Sequence, residues 1–418
     1  MLVLGKRFGR RQSAGAAVVT AVMTTVMATA CGSGGSTSVE ATADTCSPGV
    51  TDDQVTVGIL YPDTGLLSSE FTGYRFGVEA RLKAANAAGG VDGREITAVW
   101  RDDKFTPAGN VQAARDLLRD NVFAVLEYTA YSQESAGLLH EEGVPVLGVA
   151  DEPIWADNSN MFPLAYLLDD SDATTTLGAF VSAQGGTSAA VVATSITTSA
   201  RLYAEAARRS LEAAGVRVAY MDTDATTYSP QLVDRIVRSG ADSIISLTPF
   251  DIYTAALAEA SEAGRPFTVA VSPMAYNASL LGTETARALA GTYAPVGFTA
   301  IERKLPAQTD YLSAMSTYAP EMQPATQLSS IYGYIAADMF VRGLETQDGC
   351  PTRASFIQGM RGITSYDGAG LLNQKIDFSA PERAMDPCTD FVRLSAGGDA
   401  FEPVGTGPVC GQPLRAAG

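Results

Sequence analysis

Side chains able to do covalent or metal chemistry are few in this sequence and poorly grouped for it. The one histidine opens His140-Glu141-Glu142-Gly143, half of a zinc-hydrolase pattern without the second histidine, and fits a solvated helix end. There is no GxSxG and no P-loop, and no GxGxxG follows "VTVGILY", so neither a serine nucleophile nor a dinucleotide has its usual frame. The pairs Asp102-Asp103 and Asp169-Asp170 suit solvated loops or helix starts better than an acid–base dyad. No enzyme, no metal and no cofactor are expected. What is left is recognition chemistry, hydroxyls and aromatics gathered in "EYTAYSQ", "TSITTSAR" and "SPMAYN".

The chain ends say where such recognition would take place. Lys6, Arg7, Arg10 and Arg11 precede "AGAAVVTAVMTTVMATA", an uncharged segment too short for a comfortable span, which is the pattern of a secretion signal over residues 1–30. Ala28-Thr29-Ala30-Cys31 resembles the bacterial lipobox, so acylation of Cys31 and a membrane lipid anchor are expected. The following "GSGGSTSVEATAD" has too little side-chain bulk to pack and makes residues 31–53 a flexible tether. Loss of the signal takes the formal charge from −17 to about −21, which argues against nucleic acid as a partner. Cys46, Cys350, Cys388 and Cys410 then form an even set in an exported chain, predicting two disulfides. Of the three pairings, Cys350 with Cys388 and Cys46 with Cys410 are expected, a local staple and a tie between chain ends.

The elements that must carry the recognition loops are legible from Val55 onward. "VTVGILY", "EITAVW", "FAVLE" and "VPVLGVA" are short β-branched runs, each followed by an amphipathic stretch with helix signals such as Thr106-Pro107 or the Gly89-Gly90 stop. The rhythm restarts after "LLDDSDATTT" with "SAAVVAT", "VRVAYM", "ADSIISL" and "FTVAVSP". Alternation of this kind predicts α/β architecture, two Rossmann-like lobes with parallel sheets and a cleft between them. Ligands of open α/β sheets bind beyond the carboxyl ends of the strands. That singles out "PDTGLLSSEFTG", "EYTAYSQ", "ADEP", "TSITTSAR", "TPFD" and "SPMAYN". "TAYSQ" runs straight into a helix, so Thr129 and Ser132 either meet a ligand or cap that helix.

"NAAGGVDGREI", "RDDKFTPAGNVQAARDLLRDNVFAVLE" and "ADSIISLTPFDIYTAALAEASEAG" together resemble the leucine/isoleucine/valine-binding protein family, over nearly the whole stretch from Val55 to about Gly405. The resemblance implies a type I periplasmic-binding-protein fold with three crossovers. Lobe 1 would span 54–169 and 297–380, and lobe 2 170–296 and 381–410. It implies a monomeric receptor that closes on a small molecule and docks on an ABC permease; a surface sensor acting through a partner is the alternative. The family's ligand positions fall on Glu70 or Phe71 in the first loop, on Thr129 beside Ala130 and Tyr131, and on the Ala150 backbone. In lobe 2 they fall on Ser199, Phe250 and Met274. Glu152 stands where a second hydroxyl is usual and Met274 near where an acid holds an α-ammonium, so an amide, an amine or an aromatic compound is expected rather than a plain amino acid.

Overall fold

The computed structural model describes residues 46–65, 68–164, 172–379 and 387–415. The signal, Cys31 and most of the tether lie outside them. No described helix is long and apolar enough to cross a membrane.

The first lobe is built on a five-stranded parallel sheet, β1 (Gln54–Tyr61), β2 (Glu95–Asp102), β3 (Ala124–Glu127), β4 (Val146–Gly148) and β5 (Met161–Pro163), in the order β2-β1-β3-β4-β5. Helices α1 (Gly73–Ala87), α2 (Pro107–Arg119), α3 (Ser132–Glu141) and α4 (Ile154–Asp157) make the connections. Alternate residues of β1 serve opposite faces, as the two-residue repeat of a strand requires. Val57 and Ile59 join the core with Tyr74 and Val78 of α1, while Leu60 packs with Ala113, Leu117 and Leu139 of α2 and α3. Thr106 caps α2, its Oγ1 accepting from the Gly109 N–H at 3.0 Å, with Pro107 opening the helix.

The second lobe follows with β6 (Asp172–Thr174), α5 (Thr176–Ala183), β7 (Ser188–Ala193), α6 (Thr198–Ala213), β8 (Arg217–Asp222), α7 (Pro230–Arg238), β9 (Ser243–Leu247), α8 (Phe250–Glu262), β10 (Val269–Val271), α9 (Glu284–Ala288) and β11 (Tyr293–Val296). The chain then supplies α10 (Pro306–Tyr318), α11 (Leu328–Leu344) and α12 (Arg353–Arg361), and ends in β12 (Cys388–Leu394), β13 (Phe401–Pro403), β14 (Val409–Cys410) and β15 (Pro413–Arg415). The second sheet runs β13-β12-β11-β10-β9-β7-β8; β7 to β11 are parallel, and β12 and β13 join antiparallel. The two-lobed α/β reading of the sequence is the observed architecture.

Helix α11 follows the second sheet's β11 in sequence yet packs on the first lobe, against α1, β3 and β4. Glycines make this possible. A Cβ on Gly77 would collide with the Ser330 carbonyl, and one on Gly333 with the Tyr74 carbonyl, so the two helices meet backbone to backbone. The return to the second sheet is held by Asp390 of β12, which is fully buried. Its Oδ2 accepts from Arg303 Nε at 2.6 Å and from the Ala300 N–H at 3.0 Å, and its Oδ1 from Arg303 Nη2 at 2.6 Å.

The disulfides correct the expected pairing. Cys46 bonds Cys350 and Cys388 bonds Cys410, with Cα separations of 5.1 and 4.0 Å. Cys388 and Cys410 are register partners across β12 and β14. The N-terminal segment instead lies along the start of α12, where the Ser47 N–H donates to the Pro351 carbonyl at 3.2 Å and Ser47 Oγ accepts from the Arg353 N–H at 2.9 Å. Cys350 precedes a helix packed on α11, whereas Cys388 opens a strand of the other sheet, so the local staple has no geometry.

Candidate functional site

A cavity of about 190 Å³ opens between the carboxyl ends of the two sheets. The first sheet contributes Glu70 and Phe71 after β1, Phe105 after β2, Tyr128 and Ala130 after β3, and Val149 and Asp151 after β4. Opposite them stand Thr194, Ile196 and Thr197 from the β7–α6 connection, Ser199, Ala200 and Tyr203 from the first turns of α6, and Leu247, Thr248 and Pro249 at and after the end of β9. Pro273, Met274, Tyr276 and Asn277 after β10, with Pro295 of β11, complete that wall. The floor comes from the start of α11, at Gln327, Leu328, Ser329 and Tyr332.

Aromatic rings run through this wall from one lobe to the other. Phe71 packs on Phe105 (centroids 5.8 Å apart) and Tyr128 (4.6 Å), and Tyr128 meets Tyr332 edge-on at 5.9 Å. Tyr332 continues to Phe298 at 5.8 Å and Phe298 to Tyr276 at 5.9 Å. Tilted and edge-on contacts at these distances are favourable ring geometries and tie the wall together.

Two carboxyls enter a largely apolar space that also holds hydroxyls and amides such as Ser199 and Asn277. Burial raises Glu70 to about 7, partly offset by Asn277, which is within hydrogen-bonding reach from across the cleft. Burial also raises Asp151 to about 7, with the neighbouring Glu152 charge adding to it. Neither carboxyl has an ion pair among the described residues, and no described lining residue is Lys, Arg or His.

Of the residues expected from sequence, the structure brings Glu70, Phe71, Ala130, Ser199 and Met274 to the cavity. Thr129, Tyr131, Ala150, Glu152 and Phe250 do not line it. Three of these departures are a slip of one residue, which in extended chain exchanges one face for the other. Thr129 is fully buried; its Oγ1 donates to Asp103 Oδ2 and accepts from the Tyr131 N–H, while Tyr128 and Ala130 on either side reach the cavity. Ala150 packs with the α2–α3 core, and its neighbours Val149 and Asp151 line the site. Glu152 Oε2 accepts from the Gln133 N–H at 2.9 Å, so this carboxylate, not a serine hydroxyl, serves the start of α3. Tyr131 sits edge-on to Phe105 with centroids 5.4 Å apart, and Phe250 packs on the core behind Thr248 and Pro249.

Sequence reasoning missed Phe105, which follows β2 in "RDDKFTP", and the α11 start. In sequence the loop after β2 reads only as a helix start, and α11 falls outside the strand–loop pattern altogether. Behind the wall, Asp103, Asn110, Glu127, Ser132 and Ser135 form a buried polar group. Glu127, fully buried with Oε1 accepting from Asn110 Nδ2 at 3.3 Å, is raised to about 8 chiefly by desolvation.

Solved structures share this arrangement at low sequence identity. A fatty acid ABC transporter substrate-binding protein from Thermomonospora curvata superposes with a TM-score of 0.66 at 19% identity, covering 89% of this chain and 95% of that one. An ABC transporter solute-binding protein from R. palustris in complex with 4-hydroxybenzoate gives 0.71 at 16%, covering 86% and 98%. The branched-chain amino acid transporter substrate-binding protein LivJ from Streptococcus pneumoniae, in complex with isoleucine, gives 0.69 at 16%, covering 84% and 99%. No curated protein matches the chain. Residues 54–399, which carry the first sheet, most of the second and every lining residue of the cleft, match the periplasmic binding protein family, and the chain belongs to that family of non-enzymatic solute-binding proteins.

Proposed function

We propose that the protein is a lipid-anchored extracytoplasmic receptor that captures one small molecule between its lobes and delivers it to the permease of an ABC importer. The observation that carries this is a cavity whose walls come from both lobes, so that a guest would be held only when the lobes stand together. The moving bodies would be 54–169 with 297–380 and 170–296 with 381–410, linked by three crossovers. Glu70, Phe71, Ala130, Ser199 and Met274, with Phe105, Tyr128, Asp151 and Tyr332, would contact the guest. Solved proteins of the same fold hold isoleucine or 4-hydroxybenzoate and carry transporter names, which supports the reading. Acylation at Cys31 would keep the receptor beside the permease while the tether lets it turn.

Two measurements test this. A thermal-shift screen of amino acids, amides, amines and aromatic compounds should return a ligand that also compacts the protein in X-ray scattering; binding without compaction argues against lobe closure. Mass spectrometry of the membrane fraction should find a diacylglyceryl mass on a peptide that begins at Cys31, and Cys31→Ala should be released or stay uncleaved. An intact, unlipidated mature protein in the medium refutes the anchor.

A further inference from the structure

The electrostatics of the cavity narrow the class of guest, on the footing that the cavity is the ligand site. An anionic guest would meet two carboxyls, Glu70 and Asp151, and no described basic lining side chain to balance its charge. A neutral apolar guest would strip water from both carboxyls and give nothing back, which a buried polar group tolerates poorly. A cation answers both needs. It pairs with the carboxyls, and the ring faces of Phe71, Phe105 and Tyr128 attract positive charge through their quadrupoles. Size points the same way, since an apolar cavity of about 150 Å³ takes up one benzene. The 190 Å³ here leaves room for a ring and a short chain.

We propose that the site binds a protonated organic amine with a compact aromatic body, using Glu70 and Asp151 as its counter-charges and the aromatic wall as the seat of its ring. The raised Glu70 and Asp151 agree with a cavity built for a positive guest, because a carboxyl held neutral by burial ionises when a cation replaces its proton. On the second-lobe side, the start of α6 meets the guest with Ser199. The Ala200 N–H there donates to Thr197 Oγ1 at 3.2 Å, so that donor of the turn is occupied.

The experiment is calorimetry on the mature protein with three probes of one skeleton: phenethylamine, hydrocinnamate and phenylalanine. Phenethylamine should bind, and hydrocinnamate should bind at least about 100-fold more weakly. Glu70→Gln and Asp151→Asn should each weaken the amine by about tenfold or more. Both are near-isosteric, and unfolding temperatures identify a variant that fails to fold; Glu70 lies in a short surface turn, so its variant keeps the test available. Hydrocinnamate equal to the amine, phenylalanine bound to the exclusion of the amine, or amine affinity unchanged in both folded variants overturns the proposal. If the amine fails while another compound compacts the protein, the cation assignment falls and the receptor reading stands. If no compound compacts it, the receptor reading falls as well.

Discussion

Glu127 offers a clean physical test because its environment is closed on every side. It ends β3, one residue before Tyr128 of the cavity wall, with no exposed surface. The groups that face it are Asp103 from the end of β2, Asn110 from α2, Tyr74 from α1, Ser132 from α3 and Glu152 from the loop after β4. Burial raises it to about 8, against an ordinary value of 4.5. A carboxyl raised on folding binds its proton more tightly in the native state. Its contribution is therefore fully present below about pH 4.5 and lost as pH rises through about 8. Each pH unit in that window is worth about 1.4 kcal/mol, so pH 5 to pH 8 withdraws about 4 kcal/mol through this one group. Glu127→Gln keeps an oxygen for Asn110 Nδ2 and cannot ionise. The variant should match the wild type within about 1 kcal/mol at pH 5 and exceed it by about 3–4 kcal/mol at pH 8. Urea unfolding at both pH values, followed by the fluorescence of buried Trp155, reads the difference. Raised carboxyls remote from Glu127 titrate in both proteins and cancel in the comparison, while Asp103 and Glu152, which face it, move with it. A wild-type-minus-variant difference that is the same at pH 5 and pH 8 refutes the reasoning.

Three further outcomes are expected. Ala130→Leu should lower affinity for the ligand found by screening at least tenfold at nearly unchanged unfolding temperature, whereas Thr129→Ala should leave affinity within about twofold and cost about 1–3 kcal/mol by stripping Asp103 of its donor; calorimetry and unfolding of the pair decide. Non-reducing peptide mapping should recover Cys46–Cys350 and Cys388–Cys410, and replacing both Cys388 and Cys410 with serine should cost about 3 kcal/mol for a loop of 22 residues. Asp390→Ala leaves the Arg303 guanidinium unpaired at the return to the second sheet and should cost about 3–5 kcal/mol by denaturant unfolding.

The lobes were legible because strand and helix periodicity are local properties. β1, β3 and their helices announce themselves by runs of Val, Ile and Leu and by punctuation such as Thr106-Pro107. The loops that carry the site follow from topology alone, since strand ends in a parallel sheet all open on one edge. Which residue of a loop turns inward is a different matter. "EYTAYS" offers a hydroxyl at Thr129, and chemistry favours it as a contact, yet the β3 pleat sends Tyr128 and Ala130 to the cavity and Thr129 to Asp103. Period-two alternation puts Glu127 and Thr129 on one face and Tyr128 and Ala130 on the other, but both faces of β3 are buried, so polarity marks the face turned to the buried polar group rather than the one turned to a ligand. Cysteine pairing failed for a related reason. Four cysteines permit three connectivities, and choosing among them requires knowing that the N-terminal segment lies along α12 rather than beside the last strands.

The start of α11 was beyond reach for a deeper reason. Its residues enter the cavity only because Gly77 and Gly333 let α1 and α11 touch along their backbones, a match between positions far apart in the chain. That match has a mechanical consequence. Tyr332 is carried on a helix locked to the first lobe, and through Phe298 it reaches Tyr276, whose hydroxyl donates to Glu302 at 3.1 Å. The ring chain therefore passes from the rigid first lobe into the second beside a crossover. Rigid-body motion of the proposed lobes would repack these contacts, and a guest seated on Phe71 and Tyr128 would bear on the same chain. Packed rings exchange arrangements in discrete steps rather than by smooth deformation, so on the proposed reading occupation of the cavity and the relative position of the lobes would be coupled through the wall.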